Sequence, residues 1–203
     1  YSGGIQFRIL VNSVFTYIIK PKGKRYNNTK DIDGKELILN SDNFQHKHVN
    51  REAIIVGLPT AEKSILKEGD TVIVHHNVFR RWKDIRGVEK NSKAYYKDDM
   101  YFVFTDQIFA YKRKNVWKPL DGYCFIKPIK PYDKFSIEKE EPLMGVVKHS
   151  DGTVQKGSLV GFKPSGEYEF IIDNERLYRV LSKFITIQYE YKGNEEEYNP
   201  SWT

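Results

Sequence analysis

The sequence predicts an all-β protein built as two small β-barrels in tandem, with long loops. Three observations lead there. Short runs of β-branched and aromatic residues recur along 203 residues, each cut off by Gly, Pro or Asn, and no run sustains the apolar period of a helix. Tyr (14) and Phe (12) are abundant, and both suit the pleated, half-buried surface of a strand. The order of the runs then repeats. Phe125-Ile126-Lys127-Pro128 echoes Ile18-Ile19-Lys20-Pro21 at 107 positions, Lys156–Val160 echoes Glu68–Val72 at 88, and Tyr178–Ser182 echoes Tyr101–Thr105 at 77. Offsets that fall along the chain are what a duplication leaves when the second copy keeps its strands and shortens its connections.

The first copy opens with strands at Phe7–Val11 and Val14–Lys20, closed by Pro21 and Gly23. A polar loop follows, about 30–50, with Leu37-Ile38-Leu39 in its middle. Three consecutive large aliphatic residues between Asp/Gly/Lys and Asn/Ser/Asp segments are out of place in a loop, and they read either as a short buried strand or as a tag for a partner. Ala53–Val56 is a strand stopped by Gly57-Leu58-Pro59. Lys67-Glu68-Gly69-Asp70 is a tight turn, Gly69 supplying a positive φ, and it feeds the strand Thr71–Val74. A second polar excursion, Arg80–Lys97, precedes strands at Tyr101–Phe104 and Asp106–Tyr111. The copies meet near Lys112–Val116, giving domains 1–114 and 115–203, and Asn194–Thr203 reads as an acidic tail anchored by Tyr198 and Trp202.

Composition narrows the chemistry. A net charge of +6 permits an acidic partner, yet Lys and Arg are dispersed, so nucleic acid is not the expected ligand. The segment Val78–Lys83, rich in aromatic and basic residues, would either stack on nucleic acid or anchor the Arg80–Lys97 excursion, and the anchor is preferred. Cys124 is the single cysteine, which rules out an intramolecular disulfide or a cysteine metal cluster, and its apolar neighbours predict a buried thiol. His46 with His48 and His75 with His76 make two pairs without further ligands, and strand alternation would turn His75 and His76 to opposite faces, so no metal or cofactor is expected. Neither a nucleophile elbow nor a phosphate loop nor a G-x-G-x-x-G unit is present, and no enzymatic activity is expected. No run reaches the length of a membrane span and no signal peptide is visible, which leads to the expectation of a soluble, cytoplasmic protein.

Each copy resembles a GroES-type co-chaperonin subunit. Lys118-Pro119-Leu120-Asp121-Gly122-Tyr123-Cys124-Phe125-Ile126-Lys127-Pro128 approaches the family's opening strand. Leu66–Val74 and Val154–Phe162 match its V-K-x-G-D-x-V-x-F turn and strand, and Tyr178–Ile187 resembles its closing segment, the part played in the first copy by Tyr101–Ala110. The likeness covers nearly the whole chain, and the order of the motifs, met twice, carries it.

The resemblance implies a mobile loop whose aliphatic tripeptide docks in an apolar groove of a chaperonin ring, and Leu37, Ile38 and Leu39 fall where that tripeptide would be. The expected function is therefore non-enzymatic and co-chaperonin-like, with a chaperonin ring as partner and a homo- or hetero-oligomer as the working form. The second copy departs from this pattern. Its loop between Pro131 and Pro142 has ten residues, no aliphatic tripeptide, and four acidic side chains, Asp133, Glu138, Glu140 and Glu141. The connection Gly57–Lys67 is short for the family's roof hairpin. The alternative expectation is a structural protein of a virus particle or other large assembly, located in the virion with capsid or other virion proteins as partners. Richness in Lys, Asn and Tyr would suit an AT-rich phage genome.

Overall fold

A computed structural model describes residues 13–26, 29–32, 35–38, 49–164, 167–190 and 193, with 29–32 and 35–38 described by their backbone. The protein is all-β, its sheets antiparallel. The chain divides into two compact units, Tyr1–Tyr111 and Lys112–Thr203.

The first unit is built on β1 (Tyr17–Pro21), β4 (Glu52–Gly57), β5 (Thr71–Val74), β8 (Tyr101–Val103) and β9 (Ile108–Arg113), ordered β9-β5-β4-β1-β8. Two small hairpins lie outside that sheet, β2 (Thr29–Ile32) with β3 (Lys35–Ile38) and β6 (Trp82–Lys83) with β7 (Glu89–Lys90). Beyond β9 the chain turns through Lys114 and Asn115, both at positive φ, into β10 (Val116–Pro119). The second unit continues with β11 (Tyr123–Pro128), β12 (Met144–Ser150), β13 (Leu159–Phe162), β14 (Glu167–Ile172), β15 (Glu175–Leu181) and β16 (Ile185–Tyr189), its sheet ordered β14-β15-β11-β12-β13-β16.

Residue by residue, the two units repeat one pairing scheme. In the first, Ile18 faces Phe102 on β8 and Gly57 on β4, Ile19 faces Ile55, and Pro21 faces Ala53. In the second, Phe125 faces Arg179 on β15 and His149 on β12, Ile126 faces Val147, and Pro128 faces Gly145. The register shift falls between Ile18 and Ile19 in one ladder and between Phe125 and Ile126 in the other, so even the bulge is shared. The turns agree as well. Ile55 N–H donates to the Asp70 carbonyl and the Ile55 carbonyl accepts the Gly69 N–H, just as Val147 does with Ser158 and Gly157. Short 3-10 turns at Thr105–Gln107 and Ser182–Phe184 occupy the same place.

The core follows from that register. Ile126, Val147, Val160, Phe162 and Val180 form one buried cluster, and the ladder positions that match them, Ile19, Ile55, Val72, Val74 and Val103, are buried in the first unit. Each such side chain contributes about 1.5–3 kcal/mol by leaving water, so conserving the pairing conserves the larger part of the stability.

Several expectations need correction. Neither sheet closes on itself among the described residues, so the expected barrels are not confirmed. In the second unit the reason is visible: β14 lies along the outer edge of β15, the edge that closure onto β16 would need. The strand expected at Val14–Lys20 starts only at Tyr17, because Ser13 Oγ accepts the Thr16 N–H at 3.2 Å and bends the chain, leaving Val14 and Phe15 exposed. Pro21 ends that strand from within. His75 and His76 lie past the end of β5 and stack at 4.3 Å, so strand alternation does not separate them. The excursion after β5 is anchored by Val78 and Phe79, both buried, while Trp82 is 49% exposed. Strand Phe7–Val11, His46, His48 and the tail Asn194–Thr203 lie outside the described residues.

Candidate functional site

The repeated scheme is interrupted in both units at the same point, between the first strand and its antiparallel neighbour. In the first unit the interruption runs from β1 to β4. Its root is clamped by Asn50, which is buried. The Asn50 side-chain amide donates to the Lys22 and Lys24 carbonyls at 2.8 and 2.9 Å, and its oxygen accepts the Glu52 N–H at 2.9 Å. Lys22 pairs with Glu52 at 2.7 Å, and Tyr26 bridges Val49. Deeper in, the Arg25 guanidinium donates to Asn91 Oδ1 and the Phe79 carbonyl and lies over the ring of Tyr101, whose hydroxyl is pushed up to about 12 by burial. Such a root fixes where the excursion leaves the sheet.

Within it, β2 and β3 pair as Thr29 with Ile38, Lys30 with Leu37, Asp31 with Glu36 and Ile32 with Lys35. Asp33-Gly34 supplies the two connecting residues, the pair that type I′ hairpins favour. Leu37 and Ile38 therefore stand in a two-stranded ribbon separate from the main sheet, and Leu39 lies outside the described residues.

In the second unit the matching interruption runs from β11 to β12 and is strapped down. Arg176, on β15, donates to Glu140 and to Glu169, the latter at 3.0 Å, and also bonds the Tyr178 hydroxyl. Tyr178 in turn donates to Glu140 Oε1 at 2.5 Å. Burial is the largest single effect on Arg176 and works against its charge, but the hydrogen bonds and charges of Glu140, Tyr178 and Glu169 together outweigh it and hold the guanidinium more firmly protonated than usual; burial and Glu140 together push the Tyr178 phenol up. Glu141 N–H donates to the Ile129 carbonyl, and its carboxylate accepts Tyr132 N–H. At the apex Asp133 Oδ1 accepts Phe135 N–H at 2.9 Å, and Ser136 Oγ accepts Glu138 N–H at 3.1 Å.

That framework holds two large apolar side chains out in water. Phe135 is 94% exposed and Ile137 is 100% exposed, with Tyr132 more than half exposed beside them. A search for consecutive aliphatic residues passes over them, because a serine separates them. The signal that finds them is an apolar pair at i and i+2 inside an acidic, Pro-bounded loop, with no strand partner to bury it.

Other candidate chemistry resolves into structure. Cys124 is buried, with its sulfur 3.4 Å from Ser182 Oγ. Beside it Asp151 accepts from the Gly122 N–H, Ser182 Oγ and both the N–H and hydroxyl of Thr153. Burial opposes the Asp151 charge, but these hydrogen bonds hold its carboxyl below the usual range. The network ties three turns together. Among the described residues no three His, Cys, Asp or Glu side chains gather as a metal site, and no helix is long and apolar enough to cross a membrane.

No family model matches the chain, and no curated protein matches it.

Proposed function

We propose that this protein is a non-enzymatic docking protein, co-chaperonin-like in action, that attaches to a chaperonin ring through the excursions between the first two sheet partners of each unit. The observation that carries the reading is the placement of those excursions: one repeated scaffold, interrupted at one topological position, with a firm root in each case and, in the second unit, Phe135 and Ile137 held in solvent. Leu37, Ile38 and Leu39 supply the apolar contact in the first unit. A small apolar contact on a loop binds weakly and reversibly, and multiplication within an assembly turns it into avidity.

The strap of Glu140 on Arg176 and Tyr178 favours a second reading for the same surface. A fixed arm suits a permanent interface, as in a structural protein of a virus particle or other large assembly, because an arm ordered beforehand loses less entropy on assembly. Cytoplasm is the site of action under the first reading and the virion under the second.

The test is capture by a bacterial-type chaperonin with ATP, comparing the wild type with Leu37→Ser/Ile38→Ser/Leu39→Ser and with Phe135→Ser/Ile137→Ser. The second variant should leave thermal stability nearly unchanged, since neither side chain is buried. Nucleotide-dependent capture lost in the triple variant supports the first reading, and further weakening by the Phe135/Ile137 changes assigns the second loop to the same partner. No capture of the wild type sinks the chaperonin reading.

A further inference from the structure

We propose that the first unit carries both halves of a self-complementary contact: the apex of its β6–β7 hairpin, Ile85 and Arg86, seats in a recess between Phe15 and Phe104 of a second copy of this chain. This goes beyond the docking reading and does not rest on it.

The hairpin is a rigid projection. Trp82 pairs with Lys90 and Lys83 with Glu89, and Asp84 N–H donates to the Val88 carbonyl at 3.0 Å. One oxygen of the Asp84 carboxylate accepts both the Arg86 and the Val88 N–H, at 2.9 and 3.0 Å, while Gly87 at φ +77° lets the turn close. Asp84 is thus taken up by the backbone, and Glu89 by Arg81 at 2.8 Å. Neither carboxylate remains to neutralise Arg86, whose guanidinium has no partner among the described residues. Ile85 is fully exposed at the tip, and a rigid apex loses little entropy when it docks.

The recess is built just as firmly. Phe104 is fixed by its N–H on Gln107 Oε1 and its carbonyl on Gln107 N–H. Residues 13–15 are held beside 60–61 by Thr60 N–H on the Ser13 carbonyl and Ala61 N–H on that of Val14. Between them lies an open recess of about 460 Å³ lined by Phe15, Glu62, Phe104, Thr105 and Asp106. Both rings are more than half exposed, and neither Glu62 nor Asp106 has an ion-pair partner among the described residues.

The two surfaces match in kind. An aliphatic side chain fits between aromatic walls, and a guanidinium is attracted both to ring faces and to two carboxylates. Copies of a chain with net charge +6 repel each other at long range, so association needs a local acidic exception opposite a local cation, which this recess and Arg86 supply. A second copy is the occupant because both halves are present on each chain. The contact is head-to-tail, each copy offering a tip to one neighbour and a recess to another, and it closes as a ring or runs on as a filament.

Sedimentation velocity over a concentration series tests this with the wild type, Ile85→Ser/Arg86→Ser and Glu62→Lys/Asp106→Lys, circular dichroism confirming that each folds. The wild type should self-associate, more weakly at high salt, and each variant should lose at least about tenfold in association. An equimolar mixture of the two variants keeps one intact tip and one intact recess, so it should restore dimers that grow no further. A wild type monomeric throughout, a variant that associates as the wild type does, or a mixture that stays monomeric overturns the proposal.

Discussion

The two interruptions differ more than the sheets that carry them. In the first unit the chain leaves β1, is clamped at its root by Asn50, and forms a ribbon of its own in β2 and β3. In the second it leaves β11 and is tied back onto β15 by Glu140, so the apex is held by ion pairs and hydrogen bonds to the main sheet. Ladder registers tolerate no slippage, because a one-residue shift would turn every core side chain outward. Loops carry no such constraint, and lengthening or shortening one costs little. The scaffold has therefore stayed the same while its attachments have diverged.

The sharpest way to break the equivalence is at Gly145, which faces Pro128 as Ala53 faces Pro21. A Cβ on Gly145 would meet the Lys127 carbonyl oxygen at 2.4 Å and Ile126 Cγ2 at 2.6 Å, and the first of these is backbone that cannot swing aside. Gly145→Ala should destabilise the second unit by about 3 kcal/mol, whereas Ala53→Gly should cost the first unit about 1–2 kcal/mol through backbone entropy and the loss of one buried methyl group. Denaturant unfolding, read by hydrogen exchange in each unit, measures both. A neutral Gly145→Ala would show that the second ladder is less tightly held than its twin.

Next in size is the strap. Arg176→Met leaves Glu140 and Glu169 without their shared cation and should cost roughly 2 kcal/mol, while Glu140→Gln keeps one acceptor for Tyr178 and should cost less. The specific readout is exchange of the amides of Phe135, Glu138 and Glu141, which should quicken in Arg176→Met; the Asn50-clamped root of the first unit should not respond. If those amides keep their protection, the hydrogen bonds inside the loop hold it and the contrast between the two interruptions is one of length only.

How much of this was legible in the sequence depends on what kind of signal each element sends. Strands with β-branched or aromatic runs were readable, among them Ala53–Val56, Thr71–Val74 and Phe125–Pro128, and the 107 and 77 offsets match the ladder pairs of β1 and β11. β12 was not legible, because Met144-Gly145 and Lys148-His149-Ser150 dilute its apolar centre; β14 mixes charged with apolar residues on a half-exposed surface, and β16 alternates polar and apolar residues on a mostly exposed one. The first strand began late because a local Ser13–Thr16 hydroxyl interaction competes with extended pairing. Of the candidate site, the aliphatic triplet stood out by its composition. Phe135 and Ile137 did not, since exposure is decided by the Arg176 strap 39 and more residues away in the chain, which local pattern cannot reveal.

The smallest expected difference between the units appears on acidification, and its sign follows from two groups at the end of β12. His149 is held below the ordinary histidine value by burial and by Lys156, and Asp151 is held below the ordinary carboxylate value by its hydrogen bonds, against the opposing effect of burial. In both cases the unfolded chain takes up a proton more readily than the folded one, so stability falls as pH falls. The His149 contribution is present above the ordinary histidine range, near 6.5, and is lost as pH drops through it towards the depressed folded value. The Asp151 contribution survives to lower pH and is lost from the ordinary carboxylate range downward. In the first unit the ladder position of His149 is Gly57, and the residues beyond it, Leu58 and Pro59, do not titrate. Hydrogen exchange between pH 7 and 4 should therefore show the β11–β12 ladder losing protection before the β1–β4 ladder. His149→Gln should remove the earlier step and Asp151→Asn the later one. Equal loss in both ladders, unchanged by His149→Gln, would mean that acid acts through net charge on the whole chain and not through the place where the two copies differ.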